Sequence, residues 1–321
     1  TLFPTWRETL TYEDNLFGAS RKKQDDWGLY TQPGFGITHR FNENIQVSAN
    51  YKFGWYDYLD DKARDYLTHD ANFALNMTNI GVEGLSLNVY DTYAQTGNTG
   101  SLNDNYRAFT RQHQNTSGAM VNYETGPISV SASYDYTFLD EFGFGGDAYD
   151  YHTVNAMVSY KANRRIRPYL KFKFMSYDFL NDHENYTMYD VIGGVMYRPY
   201  DKFEFDLYAG NRRAIDVYRY DSDDGPVIGM QLNYYHNEQY MAYFRAYRQY
   251  EVGVLTGGSD TTSLEAGTMC KIHPELAVGG KVNWTREERS LDVTQDTIQA
   301  GMVVRYQWKR MFTFYGEYNY T

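Results

Sequence analysis

A strict alternation of apolar and cationic residues between Arg165 and Met175 is the feature that most constrains how this chain can fold. The even positions carry Ile166, Pro168, Leu170, Phe172 and Phe174, and the odd positions carry Arg165, Arg167, Tyr169, Lys171 and Lys173. Successive side chains of a β-strand point to opposite faces, so this period of two predicts a strand with one apolar and one cationic face. About ten residues are also the length that a tilted strand needs to cross a bilayer.

The same period recurs elsewhere in the chain. Between Ile45 and Trp55, apolar and aromatic residues alternate with polar residues or glycine, and 312–320 shows the same order with aromatic residues. The repetition predicts a sheet of amphipathic strands, with one face apolar and the other hydrated.

The composition favours a membrane barrel over a soluble β-sandwich. Aromatic residues make up 18% of the 321 residues, with 34 tyrosines, and the mean hydropathy is −0.66. Such a chain has too few Val, Ile and Leu residues for a dry core. A barrel needs no such core, because its outer face meets hydrocarbon and its interior can stay polar.

Other classes are excluded by length and charge. No run of about eighteen apolar residues occurs, which excludes a transmembrane helix. The net charge of −11 argues against nucleic acid as a partner. Because Thr1 opens directly on strand-like sequence, we expect that a leader has been removed and that the numbering starts on the mature protein.

The whole chain, 1–321, is expected to be one all-β domain, a transmembrane antiparallel up-and-down β-barrel in the bacterial outer membrane. We predict strands near 4–13, 27–41, 45–57, 65–78, 85–93, 106–123, 127–138, 149–160, 165–178, 186–198, 202–213, 227–236, 239–251, 261–271, 276–286, 296–308 and 311–320. These are 17 segments. A closed antiparallel barrel needs an even number, so we expect 16 or 18 strands.

The predicted connections alternate between tight turns and longer loops. Tight turns are expected at 42–44, 124–127, 161–164, 199–201 and 273–275. Longer loops rich in Gly, Asp and Asn are expected at 94–105, 139–148, 214–226 and 287–295. Short periplasmic turns and long outer loops are typical of outer-membrane barrels, which places the N-terminus on the periplasmic side.

Aromatic residues at the ends of apolar faces predict interfacial girdles. They are Trp55, Tyr134, Tyr136, Trp284, Tyr306 and Trp308.

Asp91 is an exception to the alternation of apolar and polar residues, because it shares the parity of Leu85, Leu87 and Val89. We expect it to lie past the membrane boundary or beside a β-bulge that reverses the register.

The N-terminal residues resemble a known family. Tyr12-Glu13-Asp14-Asn15-Leu16-Phe17, followed by Asp25-Asp26 and Pro33-Gly34-Phe35-Gly36, resembles the opening of the β-barrel porin 2 family, in which Asp is commoner than Glu at the second position of the first motif. The resemblance covers about the first quarter of the chain. It implies an outer-membrane barrel of diderm bacteria, often associated with export of extracellular polysaccharide, and it implies no catalytic motif.

The inward face of the predicted barrel carries the candidate functional residues. The lumen-lining candidates are Arg165, Arg167, Tyr169, Lys171, Lys173, Lys52, Tyr56, Tyr208, Tyr243, Arg245, Tyr247, Lys281 and Arg305. Their cations would attract anionic solutes, or would pair with inward acids and hold the shape of the wall, which we favour. The tyrosines would suit passing sugar rings or a plain packed wall, and the sequence leaves both interpretations open.

No enzyme activity, metal or other cofactor is expected. The histidines His113, His152, His236 and His273 fall in different segments, without a Ser or carboxylate at catalytic spacing. The acidic segment 221–225 lacks the downstream Glu of an EF-hand calcium loop. The single cysteine, Cys270, is expected to be an inert packed residue.

Two functions of different classes follow. The leading hypothesis is a passive conduit for polysaccharide export or for polar solutes, with outer-membrane lipid and periplasmic export proteins as partners. The alternative is a structural barrel that anchors or sheathes a partner, such as a secreted filament or a multihaem electron carrier. A membrane-embedded lipid-modifying enzyme is a weaker third hypothesis.

Overall fold

The structure is a computed structural model of the chain, and it is built from β-strands. It describes residues 1–13, 26–59, 65–102, 106–142, 148–179, 185–216, 222–237, 239–253, 257–289, 293–308 and 312–320. Within these ranges, no helix has the length and apolar character needed to span a membrane.

Seventeen strands are present in the described residues, and they belong to one sheet. They are β1 (Leu2–Glu13), β2 (Asp26–Asn42), β3 (Ile45–Tyr58), β4 (Tyr66–Thr78), β5 (Leu85–Leu102), β6 (Tyr106–Thr125), β7 (Ile128–Phe142), β8 (Ala148–Tyr160), β9 (Ile166–Phe179), β10 (Tyr186–Tyr197), β11 (Phe203–Asp216), β12 (Ser222–Asn237), β13 (Tyr240–Gly253), β14 (Gly257–His273), β15 (Leu276–Arg289), β16 (Val293–Trp308) and β17 (Phe312–Tyr320). Each corresponds to one predicted segment. The strands of the described residues are therefore the ones read from the sequence.

Consecutive strands pair in antiparallel fashion, as in a meander of hairpins. The described registers join β1 through β6 in sequence and β11 through β17 in sequence. The chain divides into two compact units. Unit 1 comprises Thr1–Thr125, Ser131–Asn155 and Met175–Tyr186, and unit 2 comprises Gly126–Val130, Ala156–Phe174 and Thr187–Thr321.

Several segments predicted as long loops are in fact paired strand. The ladder between β5 and β6 continues from Leu85 opposite Tyr123 to Leu102 opposite Tyr106, so most of the loop expected at 94–105 is strand. The loops expected at 139–148, 214–226 and 287–295 are shortened in the same way. Glycine, Asp and Asn indicate loops from sequence, but the backbone ladder of a hairpin can continue through them wherever the facing strand supplies partners.

The tight turns are confirmed, and the connection between β4 and β5 depends on a glycine. Gly84 ends this connection with φ +83°, and a Cβ at this position would overlap the carbonyl oxygen of Glu124. Its amide N–H donates to the Asn79 side chain at 3.0 Å, and its carbonyl accepts from Glu124 N at 3.0 Å. Glycine is therefore required both by φ and by space.

The exposed face of the sheet is apolar and the buried face is polar, which is the reverse of the arrangement in a soluble protein. On β10, Asp190 is 2% exposed whereas the next residue, Val191, is 51% exposed. On β2, Gln32 is buried whereas Phe35 and Ile37 are exposed. Large apolar side chains thus lie on an outer surface, here called the apolar face, and polar groups lie on the opposite, polar face. This is the arrangement of strands that have hydrocarbon as their external solvent.

Charged side chains enter the apolar face of unit 2 one row beyond a fully apolar row. One row across β11 to β16 consists of Leu207, Met230, Ala246, Leu264, Trp284 and Ile298. The next row toward the loop ends brings in Arg248, Arg286 and Asp296, with Arg286 bound to Asp296 at 3.0 Å and lying 5.4 Å from the ring centroid of Trp284. The predicted aromatic residue Trp284 therefore stands between the apolar rows and the first charges, where an interfacial residue is expected.

Asp91 lies on the apolar face without any change of register. It faces Phe73 on β4 and Ser117 on β6, and both ladders run through this position without a bulge. The expectation of a β-bulge at Asp91 is therefore wrong.

Candidate functional site

The polar face brings the predicted lumen-lining residues onto one side of each unit's strands. Unit 2 carries Arg167, Tyr169, Lys171 and Lys173 on β9, Tyr208 on β11, Tyr243, Arg245 and Tyr247 on β13, Lys281 on β15 and Arg305 on β16, and unit 1 carries Lys52 and Tyr56 on β3. Arg165 lies in the turn before β9 rather than in the strand, because β9 begins at Ile166.

Three tyrosines of unit 2 lie against glycines of the neighbouring strand. The ring of Tyr208 covers Gly229, the ring of Tyr243 covers Gly267 and the ring of Tyr169 covers Gly194; a Cβ on any of these glycines would overlap the ring. Because glycine has no side chain, an aromatic ring from the neighbouring strand can pack flat against the sheet at that position. The rings are consequently packed on the wall and remain partly exposed.

A tyrosine that crosses a glycine can reach a polar group two strands away. The Tyr169 hydroxyl crosses β10 at Gly194 and donates to Asp206 Oδ1 on β11 at 2.9 Å. In unit 1, Tyr90 crosses Gly118 and donates to Asp135.

The third example is in unit 1, where Tyr30 crosses Gly54 and its hydroxyl lies 2.9 Å from Thr68 Oγ1. We call this recurring arrangement the tyrosine brace. Alternation assigns Tyr169, Tyr90, Asp206 and Asp135 to the inward face, but it gives no sign that they are bonded.

The cations of the polar face fall into paired and unpaired groups. Arg245 lies 3.5 Å from Glu265 and 5.0 Å from the ring centroid of Tyr243. Among the described residues, Lys171, Lys281 and Arg305 form no ion pair. The polar face therefore contains cations that pair with acids and, among the described residues, other cations that do not and that could attract anionic solutes.

A buried ion pair between β10 and β11 was not predicted from the sequence. Arg212 on β11 donates from Nε and Nη2 to both oxygens of Asp190 on β10, at 2.6 Å and 2.7 Å, and both side chains are buried. A bidentate pair of this kind fixes the register of two strands as well as neutralising both charges. The alternation at positions 190 and 212 could have placed both residues on the polar face.

Three histidines lie on the apolar face, each beside a tyrosine of the adjacent strand. The hydroxyl of Tyr51 lies 2.7 Å from His69 Nδ1, that of Tyr93 lies 3.1 Å from His113 Nδ1 and that of Tyr134 lies 2.8 Å from His152 Nδ1. Rings with polar tips suit the boundary between hydrocarbon and water. The sequence signal for this arrangement is that alternation assigns each histidine and its tyrosine to the apolar face.

The described residues bear on metal binding and on the acidic segment 221–225. Within the described ranges, no group of three or more His, Cys, Asp or Glu residues could hold a metal ion. Within the acidic segment 221–225, Asp224 lies 3.6 Å from Arg213, and residue 221 is outside the described residues. Residues 14–17 and 25 of the N-terminal signature are likewise outside them.

Comparisons with known proteins bear on the fold. No protein-family model matches the chain, and no curated protein matches it. The chain is similar in structure to the copper transporter OprC (TM-score 0.55, 11% identity), covering 96% of this chain and 60% of that one.

It is also similar to the ferric enterobactin receptor PfeA from Pseudomonas aeruginosa (TM-score 0.59, 9% identity, 98% of this chain and 62% of that one) and to the siderophore receptor PirA from the same organism (TM-score 0.55, 7% identity, 98% and 65%). The chain thus spans about three fifths of the length of these proteins. The chain therefore has the fold of an outer-membrane β-barrel.

Proposed function

We propose that this chain forms a passive aqueous conduit through the outer membrane for polar solutes, with export of a polysaccharide as its principal use. The observation that carries the proposal is the series of tyrosine rings packed on glycines along the polar face of unit 2, next to cations that form no ion pair with any described residue. The structurally similar proteins include a copper transporter and siderophore receptors, and this likeness supports transport as the general class.

The chemistry of this face suits sugars. A tyrosine ring that lies on the wall offers a flat apolar surface to the C–H face of a pyranose, and its hydroxyl offers a hydrogen bond. Lys171 and Lys281 lie on the same face as Tyr169 and Tyr243. Cations in such positions favour anionic solutes, so an acidic polysaccharide would be drawn to this wall despite the negative net charge of the chain.

Single-channel conductance of the purified protein in a planar bilayer tests the proposal. We expect stable open steps that neutral oligosaccharides block transiently and that acidic oligosaccharides block more strongly. Removing one ring, in Tyr208→Ala or Tyr243→Ala, should weaken the block between about twofold and tenfold, the range expected for the loss of one aromatic contact.

Tyr200→Ala is the matched control, because Tyr200 lies in the turn before β11 and is 70% exposed. It should leave the sugar block unchanged. Silent bilayers that contain folded, inserted protein would overturn the conduit. That result would favour the structural barrel that anchors or sheathes a filament or an electron carrier.

A further inference from the structure

A continuous set of polar side chains interrupts the apolar face on β5 and β6. It consists of Asp91, Tyr93, His113, Asn115 and Ser117, and we call it the β5–β6 patch. All five residues belong to unit 1 and share the parity of Leu87 and Val89. They are partly exposed on the side that elsewhere in this unit carries Phe35, Ile37 and Phe73.

The depth of the patch places it within the apolar band. Asp91 is in the same row as Phe73 and Ala49, and beyond this row β3 continues its apolar-face series with Tyr51, Phe53 and Trp55. Asp91 also follows the first residue of β5 by six positions, about 20 Å along the strand and about 15 Å along the membrane normal at the usual tilt. An outer-membrane barrel has an apolar band about 25 Å tall, so Asp91 lies below its upper edge.

A carboxylate at this depth needs polar partners. Ser117 Oγ donates to Asp91 Oδ2 at 2.5 Å, and Asn115 Nδ2 lies 3.4 Å and 3.5 Å from the two carboxylate oxygens. A carboxylate has about four acceptor positions, and these contacts leave part of that capacity unused. Intramembrane ionisable groups that face lipid without partners are rare because of their cost.

The order of donors and acceptor makes the patch complementary to itself. The acceptor, Asp91, is on β5, and the donors, Ser117 and Asn115, are on β6. A two-fold axis along the membrane normal and between these strands sets β5 of one copy opposite β6 of the other. Asp91 of each copy then meets Asn115 of the other. Because the Asn115 amide carries two N–H donors, one can serve Asp91 of its own copy and the other Asp91 across the axis. The same contact forms twice, as in an isologous dimer.

We propose that the β5–β6 patch is the interface through which a second copy of this chain binds in the membrane. The dimer places the Asn115 amide of the second copy against Asp91 in place of lipid, and Tyr93 and His113 extend the contact toward the loop ends. The inference is independent of what passes through the barrel.

Crosslinking in outer membranes tests the interface. In a Cys270→Ser background, a cysteine at Ala119, one row from Asp91 on β6, should give a dimer with a short bismaleimide. The matched control is a cysteine at Ala266, which is also on the apolar face but on β14 of unit 2, and it should remain monomeric. Equal crosslinking at the two positions would overturn the proposal, as would a crosslink to a different membrane protein alone.

Substitution within the patch provides a second test. Asp91→Val combined with Ser117→Ala should lower the crosslinked fraction of the Ala119→Cys protein about tenfold, the loss expected when hydrogen bonds to a charged group are removed. Thr268→Val, a polar-to-apolar change on the apolar face of β14, should have no effect. Heat-modifiable migration on gels verifies that each variant is folded. If the Asp91 variant dimerises as well as the parent, the patch faces lipid and the proposal is wrong.

Discussion

At the scale of single residues, the tyrosine brace links side chains of the polar face across three strands. Tyr169, Tyr90 and Tyr30 each cross a glycine on the next strand and reach an oxygen on the strand after it. The ring fills the space that glycine leaves, and the hydroxyl joins strands that are not neighbours. Each brace thereby stiffens a group of three strands.

Adjacent glycines on β10 allow a direct test of the brace. Gly194→Ala should displace the Tyr169 ring and break its hydrogen bond to Asp206, which lowers the free energy of unfolding by about 1–3 kcal/mol. Gly193→Ala is the control, because a Cβ there has no atom within 4 Å. It should change stability by less than about 0.5 kcal/mol. Urea titration in phospholipid vesicles measures both, and equal losses would contradict the brace.

Two of the arginine pairs, Arg212–Asp190 and Arg245–Glu265, should differ strongly in their contribution to stability. Arg212→Met leaves the buried Asp190 without its bidentate partner and should cost about 3–5 kcal/mol. Arg245→Met breaks a pair whose side chains are 50% and 26% exposed, and it should cost at most about 1 kcal/mol. The same urea titration ranks the two variants. If the double variant Asp190→Asn/Arg212→Met is no more stable than Arg212→Met alone, the unpaired charge is not the source of the loss.

Alternation predicts the face of each residue, but it cannot predict the partner. Parity alone assigns Arg167, Lys171 and Lys173 to one side, and the structure has them on the polar side of β9. Tyr169 and Asp206 are 37 residues apart, and their contact depends on the lateral register of three strands. A period of two contains no information about that register, so the brace and the Arg212–Asp190 pair could not be predicted.

At the scale of elements, the number and order of the strands in the described residues could be predicted from the sequence, whereas the strand lengths could not. Each predicted segment has a counterpart, because turn residues separate the alternating runs. The strands of several hairpins extend further than predicted, and β5 reaches Leu102 through a segment with three glycines or asparagines between 97 and 100. Outside the apolar band no lipid selects for alternation, so the signal that defines the strands disappears while the ladder continues.

The turn between β4 and β5 gives a prediction at this scale. Gly81 and Gly84 both have positive φ, +68° and +83°, but only at Gly84 would a Cβ meet the facing backbone, at Glu124. Gly81→Ala should cost about 1 kcal/mol from φ alone. Gly84→Ala should cost about 1–3 kcal/mol more because β6 must move. Unfolding in urea compares the two, and similar losses would mean that the turn can shift away from Glu124.

At the scale of the whole molecule, the described strands present an apolar face to lipid and a polar face to water. Composition, alternation and the lack of a long apolar run in the sequence all indicate this class, and the likeness to outer-membrane receptors confirms the fold.

Cysteine accessibility along β9 tests this claim most directly. In the Cys270→Ser background, single cysteines are placed at the odd positions Arg167, Tyr169, Lys171 and Lys173 and at the even positions Ile166, Leu170, Phe172 and Phe174, and the protein is reconstituted in vesicles. A charged, membrane-impermeant thiol reagent should modify every odd position and spare the even positions inside the band. Uniform modification, or protection of the odd positions with reaction at the even ones, would contradict the account.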